Sequence, residues 1–207
     1  LVQLLLQLAA LRFSTIWMNF SCAFPFGDHF HLFDPALVAY AIRKPISFLA
    51  ASDQDLYWQV LVAGKLYGFI PTNRQKLAPS TIKKAMKALQ SGEVLGIFPE
   101  ATTAAYLRKP KKGVTYLSLK SGCKILPMSI IGLDDVWNNW FKGIRPKVEV
   151  RVGKPFSIER SLPPQHTERE KKLSRIGDDI MCRIAALLPV EYHGEYYNNK
   201  KIKLFKS

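Results

Sequence analysis

The loop DHFHLFD, residues 28–34, gathers two histidines and two aspartates in one short stretch that follows an apolar run. An imidazole, with a reference pKa near about 6.5, can take up a proton at cellular pH. A carboxylate bonded to its second nitrogen fixes the tautomer and supports the imidazolium once it forms. Two pairings fit, His29 with Asp34 across four residues or His31 with Asp34 across two, and spacing alone leaves both open. Asp34 also has a structural use, because Asp34-Pro35 reads as a helix start with aspartate at the cap and proline at the first helical position.

Three later stretches carry groups that could bind an anion or a polar substrate. GFIPTNR (68–74) ends an apolar run on Arg74, whose guanidinium could fork onto a phosphate or could simply face solvent. FPEATT (98–103) places Glu100 directly after a buried run, where a carboxylate needs a partner. A structural salt bridge to Arg74 would serve. LRKPKKG (107–113) adds four cations, Arg108, Lys109, Lys111 and Lys112, just beyond that point. A solvated loop is the plain alternative for them.

The elements that must position these groups follow from hydrophobic periodicity. FSCAF (20–24), ISFLAA (46–51), GFIPTNR (68–74), EVLGIFP (93–99), ILPMSIIG (125–132) and KVEVRVGKPF (147–156) read as strands, the last alternating as a half-exposed strand does. Helices are expected after Asp34-Pro35, around 57–66, and over Val114–Lys120. Another should start at a Ser80 or Thr81 cap, with Ile82, Ala85, Met86 and Leu89 on one face and Lys83, Lys84 and Lys87 on the other. A long helix over 167–188 carries Leu173, Ile176, Ile180, Ile184 and Leu187 on one face and stops at Pro189. Helices between strands predict an α/β fold: a single domain with a mixed, mostly parallel central sheet flanked by helices, whose active groups sit in loops at strand ends. The tail NNKKIKLFKS reads as basic and mobile, and His166 and His193 as surface groups among polar neighbours.

Composition narrows the partners. Thirty Lys+Arg against 16 Asp+Glu give +14, a balance that calls for nucleic acid, an anionic membrane surface or a phosphorylated or acidic partner. No RNP-like, zinc-finger or helix-turn-helix pattern accompanies the charge, so nucleic acid ranks last. The three cysteines are odd in number and far apart, which argues against a disulfide framework or a zinc site and for a reducing compartment. No apolar run reaches the roughly 20 residues of a spanning helix. The opening LVQLLLQLAALRF could be a signal-peptide remnant, though no basic residue precedes it, or an ordinary core helix, but suits slightly better a short helix that dips into one leaflet. Trp137, Trp140 and Phe141 beside Lys142 and Arg145 suit a headgroup zone, with core packing an equal alternative for the aromatics.

Taken in order, these blocks resemble the glycerolipid acyltransferases, typified by 1-acylglycerol-3-phosphate acyltransferase. His29 and Asp34 match the N-H-x4-D block. Gly68, Ile70, Pro71 and Arg74 match the second block; Phe98, Pro99, Glu100 and Thr102 match F-P-E-G-T-R-S; ILPMSIIG with Pro127 matches the fourth. The resemblance implies a glycerol-3-phosphate acyltransferase-like domain over about 20–190, between an apolar segment at 1–19 and a basic tail at 191–207. It implies His29 as general base, Asp34 orienting it, and Arg74, Glu100 and Thr102 at the phosphate or glycerol end of the acceptor, with Thr103, Lys109 and Lys111 beside them. Acyl-CoA or an acyl carrier protein would be the donor, a lysophospholipid the acceptor, and no metal or other cofactor would take part. The enzyme would sit on the cytoplasmic face of a membrane as a peripheral or monotopic protein. Asp28 stands where the family has Asn, Ala101 where it has Gly, and Thr103 and Ala104 where it has Arg and Ser. Either a cation from Arg108 to Lys112 replaces that arginine, or the acceptor is not a phosphate monoester. A membrane-binding relative without catalysis is the second reading, and a basic nucleic-acid-binding domain the third.

Overall fold

The computed structural model describes residues 34–51, 68–73, 77–100, 106–132, 139, 141–145 and 147–206. The strand expected at 20–24 and the helix expected around 57–66 lie outside them. Helix α1 (Asp34–Ile42) opens at the expected Asp-Pro step. It ends where Arg43 turns into the left-handed region (φ 53) and Pro45 forbids continuation. Strand β1 (Ile46–Ala51) follows at once and is the centre of a three-stranded parallel sheet, between β2 (Phe69–Thr72) and β3 (Val94–Gly96). The register pairs Phe48 with Phe69 on one side and with Gly96 on the other.

Alternation along β1 and β3 divides the core in two. Ile46, Phe48 and Val94 point to one face, where Leu37 and Val38 of α1 and Met128 and Ile130 cover them. Leu49, Leu95 and Ile97 point to the other, beneath three helices: α2 (Pro79–Gln90), α3 (Lys112–Ser121) and α4 (His166–Ala185). Both faces being covered is why these strands read as continuous apolar runs. The Phe48 ring reaches across β3, stacked on Phe98 at 6.4 Å and edge-on to Phe69 at 6.2 Å. Gly96 makes that possible, since a Cβ there would overlap the Phe48 ring.

Helix α2 buries Thr81, Ala85, Ala88 and Leu89 and exposes Lys83, Lys84 and Lys87, as its period requires. Its cap differs from the expectation. The capping position is Ala78, no side chain caps it, and Pro79 fills the first turn. Thr81 instead donates its hydroxyl to the Pro71 carbonyl at 3.0 Å and ties α2 to β2. The fourth apolar block forms β4 (Met128–Ile131), antiparallel to β5 (Glu149–Val152). The α/β class with a parallel sheet is therefore as expected, the antiparallel pairing residing in a separate two-stranded sheet.

Three expectations are corrected. The C-terminal segment is docked: after Pro189 it forms two 3-10 turns, Val190–Tyr192 and Gly194–Tyr196, and a short helix α5 (Ile202–Phe205), with Tyr196 and Ile202 buried in the larger core. The polar, lysine-rich letters concealed two apolar anchors, Tyr196 in the second turn and Ile202 in α5. His193 is buried rather than superficial, its Nε2 3.2 Å from the Leu188 carbonyl. Cys123 is disulfide-bonded, which the odd count and wide spacing did not anticipate, whereas Cys182 is a buried free thiol.

Candidate active site

In a parallel sheet the loops at the carboxyl ends of the strands are the natural home of reactive groups. Three residues link α1 to the start of β1, so α1 runs back along the sheet face and the chain sense carries Asp34 toward the carboxyl edge. There the backbone amides of a helix start point outward with the positive end of the helix dipole. Asp34 opens α1, but its side chain, and the whole of His29, Arg74, Thr102 and Thr103, lie outside the described residues.

Glu100 sits at the same edge, four residues past the end of β3, and is only 4% exposed. A carboxyl this buried requires a donor. The Arg108 N–H is one such donor, reaching Glu100 Oε1 at 2.9 Å; the expected partner Arg74 lies outside the described residues. One residue earlier, the Pro99 carbonyl accepts the Lys111 N–H at 2.8 Å. These two bonds join Pro99 and Glu100 to Arg108 and Lys111, forming the base of a basic loop over residues 108–111. Gly177 of α4 lets that base lie close: a Cβ there would come 2.8 Å from the Pro110 ring and 3.1 Å from Thr115 Oγ1.

The cations of this loop have separate surroundings. Lys109 and Lys111 are exposed beside the loop base. The Arg108 guanidinium lies over the Tyr106 ring, 5.6 Å from its centroid. Lys112 pairs with Glu170 of α4, and its ammonium holds the Glu170 carboxyl below the usual range. Among the described residues, no three His, Cys, Asp or Glu side chains gather as metal ligands would. The arrangement thus combines a helix start, a buried carboxyl held by a backbone amide, and a basic rim.

Sequence reasoning missed the second layer around Glu100. The Leu107 N–H donates to the Tyr192 carbonyl at 2.9 Å, and the Glu195 N–H donates to the Leu107 carbonyl at 3.0 Å. The bonding groups are main-chain, so no residue type marks them. The one signal was Gly194, which adopts φ +48 against Leu107.

Comparison with known proteins adds the family. The model described as Acyltransferase matches residues 27–131, a span that contains His29, Asp34, Arg74, Glu100 and β4. A protein named 1-acyl-sn-glycerol-3-phosphate acyltransferase from Borreliella burgdorferi is 31% identical over 119 residues, covering 56% of this chain and 46% of its own length. One of the same name from Bacillus subtilis is 29% identical over 123 residues, covering 59% and 58%. The chain spans about half the length of these curated relatives. The crystal structure of the 1-acyl-sn-glycerophosphate acyltransferase PlsC from Thermotoga maritima superposes with a TM-score of 0.49 at 18% identity, over 77% of this chain and 63% of that one. With its family match spanning the parallel sheet, the loop of Glu100 and the start of α1, the chain belongs to the acyltransferase family.

Proposed function

We propose that the protein transfers a fatty acyl group from a thioester, acyl-CoA or acyl-acyl carrier protein, to a free hydroxyl of a lysoglycerophospholipid such as 1-acylglycerol-3-phosphate. The observation that carries this reading is the family match over residues 27–131, which includes the His29-x4-Asp34 spacing. The names of the two curated relatives support the acceptor class.

In this mechanism His29 takes the proton of the acceptor hydroxyl while Asp34 orients the ring. The oxygen attacks the thioester carbonyl, the tetrahedral oxyanion collapses, and the thiolate leaves and takes up a proton. Main-chain amides at the α1 start suit the oxyanion, since such donors cost no reorganisation as charge develops. Arg74 and Thr102, with Thr103, Lys109 and Lys111 on the rim, would receive the acceptor's phosphate. Glu100, itself an anion acceptor only of hydrogen bonds, would position a cation or a glycerol hydroxyl.

An amphiphilic acceptor requires contact with a bilayer. No helix among the described residues is long and apolar enough to cross a membrane. Residues 141–145 offer an interfacial surface instead: Phe141 is 87% and Ile144 53% exposed, next to exposed Lys142 and Arg145.

The test is thiol release from palmitoyl-CoA with lysophosphatidic acid vesicles, comparing wild type and His29→Ala. Release that requires both acceptor and His29 is the expected result. Release unchanged in His29→Ala would refute the assigned base. A folded chain that binds vesicles and releases no thiol from either donor would favour the non-catalytic reading, which the altered residues Ala101, Thr103 and Ala104 motivate.

A further inference from the structure

The peptide unit between Leu107 and Arg108 is bonded at both ends. Its carbonyl accepts the Glu195 N–H at 3.0 Å, and its N–H donates to Glu100 Oε1 at 2.9 Å. Leu107 is 1% exposed and its own N–H is held by the Tyr192 carbonyl, so the unit cannot shift without moving the C-terminal segment. A chain of hydrogen bonds through one amide polarises each member, and the donor facing Glu100 strengthens when Glu195 bonds the far end.

Gly194 makes this contact possible. Its φ of +48 is the left-handed region, and a Cβ there would overlap the Leu107 carbonyl oxygen, lie 3.0 Å from Leu107 N and 2.7 Å from Tyr106 Cδ2. The segment behind it is fixed independently: Tyr196 is buried and donates its hydroxyl to Asp178 Oδ1 of α4 at 2.9 Å.

We propose that Tyr192–Glu195 is a positioning element for Glu100: the C-terminal segment, more than 90 residues away in sequence, sets the amide that orients the carboxyl at the acceptor end of the site. The proposal rests on the reading of Glu100 as an acceptor-binding residue. Gly194 and Glu195 touch no substrate; they act through the Leu107–Arg108 peptide.

The experiment follows the Arg108 amide proton by NMR across pH in the full chain, alongside acceptor kinetics by thiol release. In wild type the Arg108 amide should move as the Glu100 carboxyl titrates, and Glu100→Gln should abolish that movement. Gly194→Ala should displace the amide and lower kcat/KM for the acceptor by about tenfold to a hundredfold, leaving the donor KM within about twofold, because small misplacements cost this much. Gly92→Ala is the control. It adds the same strain at φ +83 with nothing within 4 Å, and should leave both readouts unchanged. Should Gly194→Ala not fold, Glu195→Pro removes the Glu195 N–H that holds the Leu107 carbonyl and carries the same expectation. An unmoved Arg108 amide in a folded Gly194→Ala or Glu195→Pro, or a displaced amide with unaltered acceptor kinetics, overturns the proposal. The amide readout needs no turnover. A displaced amide in a chain that releases no thiol therefore sinks the transfer reading while keeping the positioning of Glu100.

Discussion

Tyr196 donates its hydroxyl to Asp178 Oδ1 at 2.9 Å, a bond that fastens the C-terminal segment to the middle of α4. Burial, and then this bond to a carboxylate, push the phenol's pKa well above its ordinary value of about 10. The folded chain therefore keeps a proton that the unfolded chain releases. With fewer protons bound to the unfolded state, stability falls as pH rises. The contribution is complete below about pH 10 and is lost progressively above it. Burial pushes the Cys182 thiol up to about 11, with the same sign and an onset near the lower ordinary thiol value. Tyr196→Phe should cost about 1 kcal/mol at neutral pH, since Asp178 loses a donor, and should flatten the alkaline decline without removing the part due to Cys182. Urea midpoints measured from pH 7 to 11 check this; parallel declines in both proteins would count against it.

A second anchor of the same segment lies one turn further along α4. The Arg183 guanidinium is sandwiched between two rings, 3.9 Å from the Phe156 centroid and 4.1 Å from that of Phe205 in α5. Its Nε is buried without a hydrogen bond, and Asp179 Oδ2 at 3.7 Å compensates by charge alone. Planarity is what the site uses, because a flat cation stacks on both faces and an ammonium does not. Arg183→Lys should therefore destabilise by about 1–2 kcal/mol despite keeping the charge. It should also raise amide exchange at Lys206, whose N–H closes α5 on the Ile202 carbonyl. Stability and exchange equal to wild type would show that charge, not stacking, holds α5.

These two anchors show what the sequence could and could not disclose. Periodicity located β1 to the residue and α2 to within a turn, because each buries a stripe set by its own repeat. The helix start at Asp34-Pro35 was legible because the fixed φ of proline suits a first helical turn. Glu100 was legible as a buried acid because it follows a continuous apolar run. Its amide partner was not, since main-chain donors leave no trace in residue type. The cap of α2 misled for a related reason: Thr81 found a better acceptor on β2, a contact that depends on tertiary proximity. The C-terminal segment looked mobile because its few apolar anchors, Tyr196, Ile202 and Phe205, are scattered among Asn and Lys. They are read correctly only once α4 is in place to receive them.

The exposed turn at residues 141–145 yields a prediction about the membrane. Phe141 and Ile144 are three residues apart and both exposed, and the Ile144 N–H bonds back to the Asn139 carbonyl at 2.8 Å, which holds them in one turn. Lys142 and Arg145 are exposed in the same turn. Apolar insertion and charge attraction should separate experimentally. Phe141→Ser with Ile144→Ser should weaken binding to neutral and anionic vesicles alike, because each inserted side chain contributes about 1.5–3 kcal/mol when buried. Lys142→Gln with Arg145→Gln should weaken binding only to anionic vesicles, by about 2 kcal/mol in low salt, with the difference shrinking as salt screens the surface. Vesicle co-sedimentation across a salt series measures both. If neither pair changes sedimentation, the loop faces water, and the bilayer contact must be sought on another surface.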